Sequence, residues 1–249
     1  MPPPETDPQP KTKGIPHVKS FLASALLAAS ALSAAADPDP LWLKAVDVAS
    51  ASRRWIAGEI RTSEQELDRK GNVKSSQDYV SSVRLGPDGK LLAEHWRIEN
   101  GNRVPHVDDE DDPDDSSDPS VGFGPLDAEC QPFVRVDRLP GTTIVGGAPC
   151  AEYSFELAPA NDPSRLRGSV RIDERSGIPL RISFSPEPLP DDVKSLSVDL
   201  SLVSPDGLSV RPFSMTTDVS ATVFFMTKKI RLVQEFGSFW LAPESHANP

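Results

Sequence analysis

The chain has 249 residues, 37% of them hydrophobic and 25% charged, enough to bury a substantial core in one large β domain or two small ones. Its formal net charge of −11 argues against nonspecific nucleic-acid binding, where neutralising phosphates supplies most of the affinity. The acidity says little about fold.

The N-terminus speaks first to compartment. A Pro-rich leader precedes Lys11, Lys13 and Lys19, and an uncharged Leu- and Ala-rich run follows from Ser20 to Ala36. That run ends in small residues before Asp37-Pro38-Asp39-Pro40. A positive region, a short apolar region and an A-x-A-like site predict a secretory signal peptide over residues 1–36, cleaved between Ala36 and Asp37. The competing reading is a core helix or an uncleaved anchor, but the run is shorter than the roughly 18 to 20 residues a bilayer span needs. No Cys follows it to carry a lipid, and no twin Arg precedes it, so the general secretory route into the periplasm is expected. The mature chain then divides into one β-rich domain over residues 37–242 and a tail over 243–249.

Asp39-Pro40 suits an N-cap and first helical turn, and the following residues contain few breakers, so a helix is predicted from about Pro40 to Ser52. Strands come next. Trp55 to Glu66 runs to a turn at Arg69-Lys70-Gly71-Asn72, and Val73 to Leu85 carries Tyr79, Val83 and Leu85. Gly86-Pro87-Asp88-Gly89 turns the chain, and Lys90 to Glu99 returns with clean alternation. Between Asp108 and Asp118 lie eight acids with Pro113 and two Ser, so residues 105–120 are read as an acidic loop that cannot bury apolar area. Phe133 to Val136 and Thr142 to Val145 read as short strands around a Pro140-Gly141 turn.

Cys130 and Cys150 flank that region. An isolated pair in an oxidising compartment predicts a structural disulfide, against the alternative of two buried free thiols. The C-x-x-C spacing of redox catalysis is absent.

Cys150 to Leu157 leads into the clearest segment of the sequence, a hairpin from Leu166 to Ser185. Val170 and Ile172 alternate with Arg171 and Asp173, Asp173 to Gly177 is turn chemistry, and Leu180, Ile182 and Phe184 alternate with Arg181, Ser183 and Ser185. One face wants an apolar partner and the other wants water. Ser195 to Ser204 repeats the pattern with Leu196, Val198, Leu200 and Leu202; Pro205-Asp206-Gly207 turns, and Leu208 to Val219 pairs back. Ala221 to Met226 and Lys229 to Phe239 close a set of about ten antiparallel strands with one helix. The expected fold is mainly β, a curved antiparallel sheet or incomplete β-barrel with one N-terminal helix.

The signal peptide, the helix, the strand opening at Trp55-Ile56-Ala57-Gly58, the unit from Gly168 through Val170, Ile172-Asp173, Ser176-Gly177 and Pro179-Leu180, and the closing Phe224-Phe225 resemble the LolA/LolB-like superfamily of exported envelope proteins. The resemblance covers roughly residues 40–240 in architecture. It implies a curved sheet covered by helices, in several members holding acyl chains, and in a related branch sensing misfolded or lipid ligands in the periplasm.

Chemical motifs are few. Counting an EF-hand from Asp108 puts Pro113 and Pro119 where Gly and Glu belong, so the acidic run fails as a Ca²⁺ loop. His95, His106 and His246 share no metal-ligand spacing, and no H-E-x-x-H, G-x-S-x-G or phosphate loop occurs. No catalytic residue, metal or cofactor is assigned. What remains is the apolar set Leu180, Ile182, Phe184, Leu196, Val198, Leu200, Val223 and Phe225, which predicts either an ordinary packed core or a cavity for an acyl chain. The expected role is non-enzymatic binding of a lipid or other hydrophobic ligand in envelope maintenance, peripheral at most to the membrane. The alternative is an envelope interaction module with a filled core, whose acidic loop meets a protein partner or a cation.

Overall fold

The computed structural model describes residues 39–87, 89–105, 122–159, 163–223 and 226–243. The signal peptide with its cleavage site at Ala36 and Asp37, the acidic run, His106, Phe225 and His246 lie outside the described residues.

Helix α1, Pro40–Ser52, is the expected one, starting and ending where its cap and breakers place it. Asp39 Oδ1 accepts the Leu41 amide at 2.8 Å, satisfying one of the donors a helix start leaves free. Trp42, Ala45, Val46, Ala49 and Ser52 recur at helical spacing and are all buried. At the far end Ser52 Oγ donates to Val48 O at 2.6 Å and accepts from the Val210 amide at 2.7 Å, so this buried hydroxyl is satisfied both ways.

The strands are β1 (Trp55–Ile56), β2 (Glu59–Leu67), β3 (Val73–Leu85), β4 (Leu91–Glu99), β5 (Asn102–Pro105), β6 (Val134–Val145), β7 (Ala148–Leu157), β8 (Arg165–Asp173), β9 (Pro179–Glu187), β10 (Val193–Val203), β11 (Arg211–Val223), β12 (Met226–Gly237) and β13 (Trp240–Leu241). Two 3-10 turns, Gly124–Leu126 and Ala128–Phe133, precede β6. Eleven strands form one antiparallel sheet in the order β5-β4-β3-β2-β12-β11-β10-β9-β8-β7-β6, while β1 pairs with β13. The sheet ends at β5 and β6 and does not close into a barrel. The fold class is therefore the expected one: mainly β, one open antiparallel sheet, one N-terminal helix among the described residues.

The hairpin at the centre of the sequence forms β8 and β9. Asp173 Oδ1 accepts the amides of Arg175 and Ser176 at 2.7 and 3.0 Å, and Gly177 supplies a φ of +73°. Gly168 has a different task. A Cβ there would lie 1.9 Å from Ser183 O, so only glycine lets β9 approach β8 this closely.

Two expectations are corrected. Pro140-Gly141 does not separate two strands; β6 runs through it with a register shift between Arg138 and Thr142. Its edge position explains the tolerance, since a proline on an outer strand need not donate to a neighbour. The turn sits instead at Gly146 and Gly147, both at positive φ.

The disulfide is also absent, and both Cys130 and Cys150 are free. Val134 pairs with Leu157, and Phe133 O accepts the Ala158 amide, so the second 3-10 turn meets the far end of β7 from Cys150. Seven residues of strand separate the two ends by about 23 Å. The three residues from Phe133 back to Cys130 recover only about 6 Å at 3-10 rise, whereas a disulfide requires α-carbons within about 7 Å.

Candidate functional site

The pairing registers make the two faces of the sheet readable residue by residue. One row crosses all eleven strands: Arg138, Tyr153, Val170, Ile182, Leu200, Met215, Gln234, Thr62, Tyr79, Arg97 and Val104. Residues directly opposite share a face, so this row marks the side that α1 covers. Over β7 to β10 it is closed, with Tyr153 and Val170 at 0% exposure, Ile182 at 1% and Leu200 at 3%. From Met215 onward its residues are half-buried and increasingly polar.

The closed part is built around Trp42. Its ring lies 5.7 Å from that of Tyr153, and its Nε1 donates to Gln131 Oε1 at 3.0 Å. Gln131 Nε2 in turn donates to the carbonyls of Pro125 and Asp127 at 2.7 and 3.0 Å, so the helix, the 3-10 turns and β7 share one network. Burial pushes the Tyr153 hydroxyl up to about 12, helped by the Asp39 carboxylate beside it. Burial likewise raises Asp127, opposed by Arg53 at 3.7 Å. The Cys130 and Cys150 thiols are both raised, first by burial and then by nearby Asp127 and Asp173, which leaves them weak nucleophiles.

The apolar residues singled out in the sequence separate here. Ile182 and Leu200 are packed inside this core, with Leu180 and Phe184 against it. Leu196 is buried on β10, in register with Val219. Val198 is half-buried, opposite Phe184 and Thr217. Val223 ends β11, and its side chain lies outside what is described, as does Phe225. Beyond α1 the same face continues through Val219, Ile230 and Leu232, all half-buried, to Glu64 and Tyr79. Burial and then Glu64 raise the Tyr79 hydroxyl. α1 lies over β8, β9 and the 3-10 turns rather than over this continuation.

Sequence reasoning missed the opposite face. A cleft of about 780 Å³ opens there, lined from β8, β9, β10, β11, β12 and β2. Its floor contains the row Ser169, Ser183, Asp199, Thr216 and Val233. Arg181 Nε donates to both oxygens of Asp199 at 2.8 and 2.9 Å, and Ser183 Oγ donates to the same carboxylate at 2.8 Å. Arg231 grips Asp218 through Nε and Nη2 at 2.8 and 3.2 Å. Arg167 pairs outward with Glu156 and Glu187 at 3.1 and 2.8 Å. The signal was present in the sequence as the polar half of each alternating strand, which was assigned simply to water.

Among the described residues no three His, Cys, Asp or Glu side chains gather as metal ligands. His95 Nδ1 lies 2.8 Å from Ser81 Oγ across the β3–β4 pair, half-buried. No helix among the described residues is long and apolar enough to cross a membrane.

No family model matches the chain, and no curated protein does. Solved structures show a loose likeness of fold. A DUF1329 family protein from Desulfovibrio piger is 12% identical, over 83% of this chain and 95% of its own, with a TM-score of 0.35. MucB is 13% identical over 79% of this chain and 92% of its own, with a TM-score of 0.28. The Pseudomonas aeruginosa MucA/MucB complex is 13% identical over 81% of this chain and 98% of that one, at 0.25. At such scores the likeness carries no argument, and function has to be read from the chain's own residues.

Proposed function

We propose that this is an exported, non-enzymatic protein of the cell envelope that holds a lipid or other hydrophobic ligand on the α1-bearing face of its sheet. One observation carries the reading: the apolar face does not stop where α1 stops. Val198, Val219, Ile230 and Leu232 continue it across β10 to β12, half-buried. An apolar strip beside a filled core, ending at the polar Glu64 and Tyr79, is the surface an acyl chain with a polar head requires. Export of the mature chain from Asp37 to the periplasm belongs to the same proposal and rests on the predicted signal peptide.

The filled core under α1 favours a second reading, an interaction module whose partner is another envelope protein. Native mass spectrometry of the periplasmic chain, before and after organic extraction, separates the two. The ligand reading expects an extractable adduct of phospholipid or fatty-acid mass, reduced in Leu232→Ser. A bare polypeptide that also ignores added phospholipid vesicles overturns it and leaves the partner reading.

A further inference from the structure

We infer that the cleft on the face away from α1 is a second binding site, for a neutral oligosaccharide. Arg181 is held by Asp199 and Arg231 by Asp218, while Arg167 is answered by Glu156 and Glu187. Each arginine of the cleft therefore already faces a carboxylate, which lowers the attraction the site can offer a further ion.

What it offers is neutral hydrogen bonding. Among the described residues, the side chains of Gln65, Ser169, Ser185, Ser197 and Thr216 line the cleft and make no hydrogen bond to the protein. Four of them sit on the neighbouring strands β8 to β11, about 4.8 Å apart strand to strand, and Gln65 lies on β2 beyond β12. Hydroxyls donate and accept alike, and the amide of Gln65 adds two donors and an acceptor, which suits a ligand that is itself a chain of hydroxyls. The volume of about 780 Å³ accommodates several sugar units.

This site is independent of the lipid proposal, because the two occupy opposite faces of the sheet. The test is isothermal titration of the full chain with maltohexaose, cellohexaose and chitohexaose, alongside inorganic phosphate. At least one hexasaccharide is expected to bind with a Kd of about 1 mM or tighter. The double variant Ser197→Ala with Thr216→Val should weaken it about tenfold, the effect of two lost neutral hydrogen bonds. Since those hydroxyls have no partner in the protein, the variant should keep the parent's circular dichroism and Tm; should it not, Gln65→Ala provides the same reading alone. Leu232→Ser, on the other face, should leave sugar binding unchanged. Absence of binding by all three sugars, equal affinity in the cleft variants, or tight phosphate binding in place of sugar would overturn the inference.

Discussion

Two halves of one sheet, sharing one face, differ in how they deal with apolar surface. Over β7 to β10 the face is roofed by α1 and the 3-10 turns, and its residues are excluded from water. Over β11, β12, β2 and β3 the same row passes through Met215, Gln234, Thr62 and Tyr79, half-buried. The backbone pairing does not account for it, since β11–β12 and β12–β2 in the open half pair without a register shift while β6–β7 and β8–β9 carry one each. The difference lies in what covers the strands, so stability should concentrate in the roofed half and binding in the open one.

The largest effect should come from removing the roof's anchor. Trp42 is 1% exposed, packs on Tyr153 and bonds Gln131. Trp42→Ala should cost about 3–5 kcal/mol, from the cavity and the orphaned amide together. Urea unfolding measures it. A loss no greater than that of an open-half truncation would erase the distinction between the halves.

Gly168→Ala comes next. The new methyl would meet Ser183 O at 1.9 Å and the Phe184 α-carbon at 2.8 Å, so β8 and β9 must separate. A cost of about 1–3 kcal/mol is expected, with faster amide exchange confined to this pair. Exchange rising throughout the sheet would show that the halves unfold as one. Leu232→Ala, on the open strip, should cost only about 1 kcal/mol, since that side chain is only partly buried. Its larger consequence should be loss of the extractable lipid adduct.

The contrast also explains what could be read in the sequence. The helix from Pro40 to Ser52 and the β8–β9 hairpin were legible because local signals decide them: an Asp-Pro cap, period-two alternation, an Asp-to-Gly turn. The two halves were not separable. Leu200 and Leu232 sit in equally alternating strands, and only the placement of α1 makes one core and the other open. The polar cleft was hidden for the same reason, because Ser183, Asp199 and Thr216 look like any solvated alternate positions until the registers align them. The cysteines failed on distance. Their chain separation suits a disulfide loop, yet β7 holds them at opposite ends. Alkylation of the purified protein in denaturant, without reductant, should therefore add two groups per chain. A chain that accepts none would show a bridge, and with it a different seating of the 3-10 turns against β7.

The smallest effects are electrostatic, and they carry opposite signs. Asp127, inside the roofed half, is raised above the ordinary carboxylate range by burial, so the folded chain binds its proton more tightly than the unfolded one. Its stabilising contribution is full below the unfolded value and fades as pH rises through the folded one. Asp206, exposed in the β10–β11 turn, accepts the amides of Leu208 and Ser209 at 2.9 and 2.8 Å and the Ser209 hydroxyl at 2.7 Å, and is lowered to about 2. Its contribution is present above the ordinary value of 3.8 and is lost as pH falls through about 2. Carboxyl-detected NMR titration should find Asp127 still protonating above the common aspartates and Asp206 well below them. Were Asp127 to titrate with the exposed carboxylates, water would reach beneath α1, and the roofed half would be no drier than the open one.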